Sequence, residues 1–274
     1  MKKLTSVISA ALLGIAVLAT YLTGPAFAED LIQKIKSTGV MRIGVAPGAP
    51  YQFPDPATGK YEGFNIDLAN RVAEILGAKV EVVESSWATL STGLQSGQFD
   101  IIFANVFATP ERAVTVSFTQ PYFNYGFHVM VAADSPIQSL EQLNSPDVTF
   151  SGMSGTVEAR YPKELYPNSQ VKELVSDNSY GGPLEVIAGR ATAAFVDPGI
   201  YRILMAQNPQ FAGKVRLLND EDHLLKPVGL AWAVMPDQTH MLNFLNTFIQ
   251  DIINNGENVR LRDVWFDKLA KAGN

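Results

Sequence analysis

Arg112 occupies a position in which a cation needs an anionic partner. It lies in the segment FATPERAVTVSFTQPYF, where Thr109 is a typical helix N-cap, Pro110 suits the first helical position and Glu111 the first turn. The helix dipole disfavours a cation in that turn by about 0.3–1 kcal/mol. We therefore expect Arg112 to bind an anion from outside the helix. The alternatives are a surface residue or a pair with Glu111 or another acid.

Two polar residues end apolar strands at matched places in the chain. Asn105 ends LQSGQFDIIFAN, eight residues after Gly97, and Asp197 ends VIAGRATAAFVD, eight residues after Gly189. Open α/β sheets bind ligands beyond the carboxyl ends of their strands. Two sheets that face each other would place Asn105 and Asp197 on opposite walls of a cleft. The alternative is that each residue only caps a turn or a helix.

The segment SGMSGTVEA predicts a second place for an anion. Ser154, Gly155 and Thr156 open a helix whose first N–H groups have no partner within the helix, and the glycine permits close approach. An ordinary N-cap is the alternative. The segment is not a G-x-S-x-G nucleophile elbow, because the last glycine of that motif is missing.

The elements that must position these residues alternate between strand and helix. In the first half, strands are predicted at 41–45, 80–83 and 99–103, with helices at 65–76, capped by Asn65, and at 88–96. In the second half, strands are predicted at 148–150, 170–175 and 191–196, with helices near 155, at 183–188 and at 199–207. This alternation is typical of sheets covered by helices, hence of an α/β fold.

Two strand-like segments connect the halves, YGFHVMVAAD at 125–134 and KPVGLAWAVMPD at 226–237. The second returns the chain, so that the C-terminal helices, at about 238–254, pack on the first half. We predict two α/β lobes joined by a two-strand hinge, lobe 1 comprising 29–128 and 229–274 and lobe 2 comprising 129–228. His128, on the first connector, is an open candidate for the cleft.

The N-terminus and the composition indicate an exported protein. Lys2 and Lys3 precede an apolar stretch at about 7–22, and Ala26-Phe27-Ala28 is an A-x-A cleavage signal. A membrane anchor is the alternative to a cleaved signal at 1–28. The chain has no cysteine and a net charge of −6, and it lacks a basic run, which argues against nucleic-acid binding. We expect a periplasmic monomer with no metal and no cofactor.

Five segments taken together resemble a known family: GKYEGFNIDLANRVAEILG, LQSGQFDII, TPERAVTVSFTQPYF, SGTVEA and AGRATAAFVDP. In order and over nearly all of the mature chain, they are similar to extracellular solute-binding protein family 3, the periplasmic receptors of ABC importers for polar amino acids and related compounds. The resemblance implies a type II periplasmic binding protein fold. It also implies a small-molecule ligand, an amino acid or related carboxylate, and a membrane permease as partner.

The resemblance also implies roles for individual residues. In this family the Arg of the T-x-E-R motif holds the α-carboxylate of the ligand, which gives Arg112 that role. The N–H groups around Ser154 and Gly155, with the hydroxyl of Thr156, would bind the same carboxylate. Asp197 matches the family Asp that binds the α-ammonium. A ligand held by Arg112 and Asp197 bridges both lobes and favours their closure.

Aromatic residues of the family enclose the carbon skeleton of the ligand, and Tyr51 and Trp87 occupy the usual places, although Trp87 is also a candidate core residue. The chain departs from the family at Asn105, where Gly is usual, and at Phe107, where Thr or Ser is usual. Either the ligand lacks a standard α-amino-acid head, or Asn105 replaces the lost partner. Phe107 either narrows the pocket or presents its ring to a cationic amine.

A cyclohexadienyl dehydratase on the same fold is the alternative function. Those enzymes resemble this chain, and they place a general-acid Glu three residues after the Asp that ends the last ligand-binding strand. Here that position is Ile200. An isoleucine transfers no proton, so the sequence favours a binding protein over an enzyme.

Overall fold

The computed structural model describes residues 29–175 and 180–272. The predicted signal segment at 1–28 lies outside the described residues. The strands are β1 Val40–Val45, β2 Phe53–Pro54, β3 Tyr61–Glu62, β4 Lys79–Glu84, β5 Ile101–Phe107, β6 Ser117–Phe118, β7 Phe123–Ala132, β8 Thr149–Met153, β9 Gln170–Leu174, β10 Ala193–Val196, β11 Val215–Leu217 and β12 Leu225–Val234. The α-helices are α1 Leu31–Thr38, α2 Phe64–Ile75, α3 Leu90–Gln95, α4 Pro110–Ala113, α5 Val157–Leu165, α6 Gly181–Ile187, α7 Pro198–Gln207, α8 Thr239–Asn254 and α9 Glu257–Ala272.

The strands form two parallel groups on either side of two long strands. Their order is β4-β1-β5-β12-β7-β10-β8-β9. In the first lobe β1 pairs in parallel with β4 and β5, and in the second lobe β8 pairs in parallel with β9 and β10. Parallel neighbours need a crossover, which the intervening helices supply. The α/β pattern predicted from the sequence is confirmed.

The two long strands, β7 and β12, form the hinge. Residues 225–230 of β12 pair antiparallel with β7, and residues 230–233 pair with β5 of the first lobe. Residues 128–131 of β7 pair with β10 of the second lobe. Each long strand therefore runs from one lobe into the other, which confirms the predicted two lobes and two-strand hinge.

Helix α2 shows how the apolar pattern positions an element, and where the sequence prediction was wrong. Ile66, Ala69 and Val72 are buried against the sheet, as the 3.6-residue period requires, and the helix is followed by Gly77 at φ +70°. Asn65 does not cap the helix. Gly63, at φ +125°, precedes the first helical residue, and Asn65 lies fully buried inside the first turn.

Helix α9 was not predicted, and it joins the lobes from the C-terminal side. It packs on α7 of the second lobe and on α8 and α2 of the first lobe. Within the described part of the chain, no helix has both the length and the apolar character needed to cross a membrane.

A chain of buried hydrogen bonds runs from the core of the first lobe to the cleft. Trp232 Nε1 donates to Asn65 Oδ1 at 3.0 Å, and Asn65 Nδ2 donates to Gln52 Oε1 at 2.8 Å. Gln52 Nε2 donates to the carbonyl of Ala46 and to Asn105 Oδ1, both at 2.7 Å. The indole can only donate and the carbonyl can only accept, so the direction of every bond is fixed. Asn105 therefore presents its Nδ2 amide hydrogens to the cleft.

Replacing Asn65 should destabilise the fold strongly. Asn65→Ala leaves Trp232 Nε1 and Gln52 Oε1 buried without partners, at about 1–3 kcal/mol each. We expect the free energy of unfolding, measured by urea denaturation, to fall by about 2–4 kcal/mol. Asn70→Ala, at an exposed position of the same helix, is the matched control and should change it by less than about 0.5 kcal/mol. Equal effects of the two substitutions would show that the chain of bonds contributes nothing.

Candidate functional site

The candidate site is a closed cavity of about 60 Å³ between the lobes. The first lobe contributes Gly48, Trp87, Asn105 and Phe107. The second lobe contributes residues of β8, α5, α6, β10 and α7, of which the chemically distinctive ones are Thr156, Glu158, Asp197 and Ile200. Asn105 and Asp197, which the sequence placed at the ends of matched strands, do line opposite walls of one cavity.

The lobes touch along the rim of this cavity. A Cβ atom on Gly155 would lie 2.6 Å from Cα of Ala88, so the close approach of the two backbones needs glycine there. The same glycine has φ +81°. Glu111 of the first lobe forms an ion pair with Arg160 of the second. The structure is therefore the closed arrangement of the two lobes.

Arg112 lies beside this cavity, in an adjoining pocket of about 40 Å³ that shares Asn105, Phe107 and Glu158 with it. Its Nη1 donates to the carbonyl of Phe107 at 2.9 Å, and its Nη2 donates across the cleft to the carbonyl of Gly155 at 2.6 Å. Among the described residues, no carboxylate lies within 4.0 Å of its guanidinium. Burial lowers the pKa of Arg112, and the nearby Glu158 carboxylate opposes that effect. The group remains a cation, because guanidinium is not deprotonated in proteins.

The short helix that carries Arg112 begins as predicted, but its length changes the reason for expecting an anion. Thr109 occupies the N-cap and Pro110 the first position of α4, which is only four residues long. A single turn has little dipole, so the dipole is not what makes an anion necessary. The cause is burial, since a cation taken out of water needs a counter-ion or a full set of acceptors.

Asp197 faces the same cavity from the second lobe. It is 8% exposed and caps α7, its Oδ1 accepting from the N–H groups of Gly199 at 2.9 Å and Ile200 at 3.0 Å. The pKa of Asp197 is raised to about 7, chiefly by burial and in addition by the nearby Glu158, and the two N–H groups oppose this rise only in part. The site therefore contains an acid that gains stability when a cation is bound beside it.

Glu158 is a site residue that the sequence reasoning missed. It lies in the first turn of α5 and lines the cavity together with Asp197 and Thr156. Burial raises its pKa, although its own N–H, the Thr156 hydroxyl and the charge of Arg112 act in the opposite direction. An acid in the first turn of a helix is also a favourable partner of the helix dipole, so its position alone does not mark it as a site residue. The signal that could have identified Glu158 is its place at the start of a helix that faces the cleft.

The N–H groups predicted to bind an anion are already used within the chain. The N–H of Ser154 donates to the carbonyl of Leu174 at 2.9 Å, and the N–H of Thr156 donates to the carbonyl of Met153 at 3.1 Å. Thr156 lines the cavity, and its hydroxyl also donates to Met153 at 2.8 Å. Gly155 lies at the rim, and Ser154 lies outside the cavity lining. In this structure, therefore, the N–H groups of Ser154 and Thr156 are not free to bind an anion, because the turn before α5 uses them.

The predicted aromatic residues divide into two groups. Trp87 and Phe107 line the cavity. Tyr51 does not, and this corrects its predicted place. It is 1% exposed and packs edge-on against Phe64 and Phe266, with ring centroids 6.1 and 5.9 Å away. The physical reason is that the ring of Tyr51 packs into the core. Another residue of the loop that carries Tyr51 therefore forms this part of the cavity wall.

Gly48 is the residue of that loop that reaches the cavity. A Cβ atom there would lie 3.0 Å from Trp87 and 3.1 Å from Asn105 Oδ1, so a side chain would push both from their places. The missing side chain lets Trp87 and Asn105 form the first-lobe wall. With Nδ2 as its free group, Asn105 offers hydrogen-bond donors on the same side as Arg112. The cavity thus has donors on the first-lobe wall and two acids on the second-lobe wall.

The model of one protein family, bacterial extracellular solute-binding proteins, family 3, matches residues 41–268. The chain belongs to this family. Its relative in Escherichia coli (strain K12), ABC transporter arginine-binding protein 1, is 25% identical over 250 residues, which are 91% of this chain and 98% of the relative. The cyclohexadienyl dehydratase of Pseudomonas aeruginosa is 27% identical over 228 residues, which are 78% of this chain and 84% of that enzyme.

A solved structure supports the same assignment. It is that of an ancestral amino acid-binding protein, named as a precursor of cyclohexadienyl dehydratase, with a TM-score of 0.73 and 30% sequence identity. The match covers 86% of this chain and 99% of that chain. The solute-binding family therefore accounts for the two-lobed fold, and the cavity between the lobes is where its members are expected to hold a solute.

Asp197 should make the unliganded solute-binding protein less stable as pH rises from about 5 to 7. In that window the folded state keeps a proton on Asp197 that the unfolded state, with the ordinary value of 3.8, has lost. The free energy of unfolding should fall by about 2 kcal/mol between these pH values, and Asp197→Asn should abolish most of the decline. Asparagine is an equally good N-cap, so the helix start is kept.

Urea denaturation at the two pH values measures this effect. Asp237→Asn removes an exposed acid and serves as the control, which should keep the decline of the unmodified protein. If the free energy of unfolding of Asp197→Asn falls between the two pH values as much as that of the control, the carboxyl of Asp197 is not the protonated group.

Proposed function

We propose that this protein binds a compact amino acid, or a similar carboxylate with an amine, in the periplasm and delivers it to the membrane permease of an ABC importer. The observation that carries the proposal is the cavity between the lobes, which two acids line, together with the adjoining pocket that holds the Arg112 guanidinium. Membership in the solute-binding family and the predicted signal at 1–28 support the export and transport parts of the proposal.

The charges give the ligand one orientation. Its carboxylate lies towards the Arg112 guanidinium and the Nδ2 group of Asn105, which are the donors of the first-lobe wall. Its ammonium lies between Asp197 and Glu158, and one ammonium has three hydrogens with which to contact both acids. Trp87 and Phe107 cover the carbon skeleton, which leaves room for a short side chain only.

Closure follows from this orientation. The ligand contacts the first lobe through Arg112 and the second through Asp197, so it binds the closed arrangement more tightly than the open one. We propose that the moving units are 29–128 with 229–274, and 129–228, rotating about β7 and β12. In the closed arrangement, Nη2 of Arg112 also donates across the cleft to the carbonyl of Gly155.

The dehydratase alternative is disfavoured by the side chain that occupies the decisive position. Ile200 lines the cavity and is 8% exposed, so an apolar group stands where the related enzymes are expected to hold a general acid. We therefore propose a binding protein without catalytic activity. Prephenate belongs in the ligand screen below, with phenylpyruvate formation followed by absorbance, and turnover that Glu158→Gln abolishes would establish the alternative.

A thermal-shift screen of the mature chain against the amino acids, their modified and methylated derivatives and small carboxylates tests the proposed function. Ligand at 100 times its Kd should raise the free energy of unfolding by about 2.7 kcal/mol. Arg112→Ala should weaken the best ligand by about 100-fold or more, because two charge-assisted hydrogen bonds contribute about 1.5–3 kcal/mol each. Lys36→Ala, an exposed cation on α1, is the control and should bind normally. Unchanged affinity in Arg112→Ala would contradict the assignment.

Asp197 and Glu158 should distinguish ligands by their amine. Calorimetric titration of Asp197→Asn and Glu158→Gln should show a loss of at least about 10-fold for the amino acid, since each charged contact contributes about 1.5–3 kcal/mol. The matched ligand without its amine should bind both variants as well as it binds the unmodified protein. An equal loss for both ligands would mean that these acids contact something other than the ammonium.

A further inference from the structure

A second and larger cavity, of about 660 Å³, lies at the hinge. We call it the hinge groove. It is lined by β7, by α7 of the second lobe and by α9, and its polar side chains are Tyr125, His128, Tyr201, Arg202, Asp220 and Arg262. Its volume lies within the about 300–1,000 Å³ that small-molecule sites occupy. None of these residues lines the cavity between the lobes.

The hinge groove carries more positive than negative charge. Arg202 is exposed, and its Cζ lies 5.0 Å from the centroid of the Phe266 ring. Within the described ranges, no carboxylate lies within 4.0 Å of its guanidinium. The one acid in the lining, Asp220, is occupied at 2.6 Å by Nδ1 of His223. Arg262 adds a second guanidinium, which binds its neighbour Asp263 through Nε and Nη2 and also interacts with the Tyr125 hydroxyl.

His128 supplies a buried polar group at the same place. Its side chain belongs to a residue that is 2% exposed, and its Nδ1 lies 3.0 Å from the carbonyl oxygen of Asn219. A carbonyl only accepts, so Nδ1 carries the hydrogen, and Nε2 is the nitrogen without a partner among the described residues. His128 therefore adds a polar ring to the lining of the groove.

Apolar side chains complete the lining. Met205, Leu217 and Phe266 line the groove together with the two arginines. An inorganic ion would leave this surface uncovered, whereas an organic anion would bury it. We propose that the hinge groove binds an organic oxyanion, a carboxylate or a phosphate ester with an apolar body, whose charged group contacts Arg202 and Arg262.

The position of the groove links such a ligand to the cleft. Helix α7 begins at Asp197, which faces the cleft, and its next residues, from Pro198 on, line the groove. On the other side of the groove, Phe266 of α9 packs against Tyr51 of the first lobe. Phe266 also lies close to Gly199 of α7, since a Cβ atom on Gly199 would lie 2.6 Å from the Phe266 ring. An oxyanion between Arg202 and Arg262 therefore joins the two lobes in their closed arrangement. This coupling rests on the proposed function of the cleft.

Calorimetric titration of the mature chain with phenyl phosphate, phenylacetate and inorganic phosphate tests the proposal. We expect at least one of the two aromatic probes to bind saturably and more tightly than inorganic phosphate. Whichever of phenyl phosphate and phenylacetate binds more tightly identifies the preferred charged group. Arg202→Gln should weaken the affinity for that probe by about 10-fold or more. Lys36→Gln, which removes an exposed cation outside the groove lining, should leave the affinity unchanged. Absence of saturation up to about 10 mM for every probe would overturn the proposal.

Arg112→Ala separates the hinge groove from the cleft, which also attracts anions. A probe in the groove should bind this variant normally, whereas a probe whose binding depends on Arg112 and not on Arg202 lies in the cleft and overturns the inference. Failure of the cleft proposal would leave the response to Arg202→Gln intact. With the groove saturated, a cleft ligand should bind at least about 5-fold more tightly, and the reciprocal titration should give the same factor. An unchanged affinity would refute the coupling.

Discussion

Closure of two lobes over unpaired charges is the constraint on which the rest of this structure depends. Among the described residues Arg112 donates its hydrogen bonds to backbone carbonyls, and Asp197 and Glu158 line the cavity of about 60 Å³ beside it. Buried charges of this kind are costly unless they are paired. In the proposed function, a ligand with charges of both signs favours the closed arrangement, so that binding and hinge closure are one event.

The first lobe supports that event through a rigid polar core. The bonds from Trp232 through Asn65 and Gln52 to Asn105 have one possible direction, and they fix which end of the Asn105 amide faces the cleft. The second lobe presents the start of helix α7 to the cleft, where the first lobe presents its chain of hydrogen bonds. Asp197 caps α7 and faces the ligand with the same carboxylate, so the site and the secondary structure share one group. In the proposed binding mode, the ligand's carboxylate contacts a rigid wall and its amine contacts titratable acids.

The sequence predicted the layout of the site better than its details. Strand and helix periodicities, and the equal spacing that ends at Asn105 and Asp197, give the lobes, the hinge and the two walls. The details depend on how individual groups turn after folding. Tyr51 turns into the core and Gly48 takes its place, Glu158 turns inward from a first turn, and the N–H groups of Ser154 and Thr156 bond within the chain. Such choices follow from tertiary contacts, which no local pattern contains.

The most direct test of the central claim is a crystal structure of the mature protein with the tightest amino-acid ligand. The account predicts a closed cleft, with a ligand carboxylate oxygen within about 3.2 Å of both the Arg112 guanidinium and Asn105 Nδ2. It also predicts the ammonium within hydrogen-bond distance of Asp197 and Glu158. A ligand bound with its carboxylate towards these two acids, or held without contact to Arg112, would contradict the account.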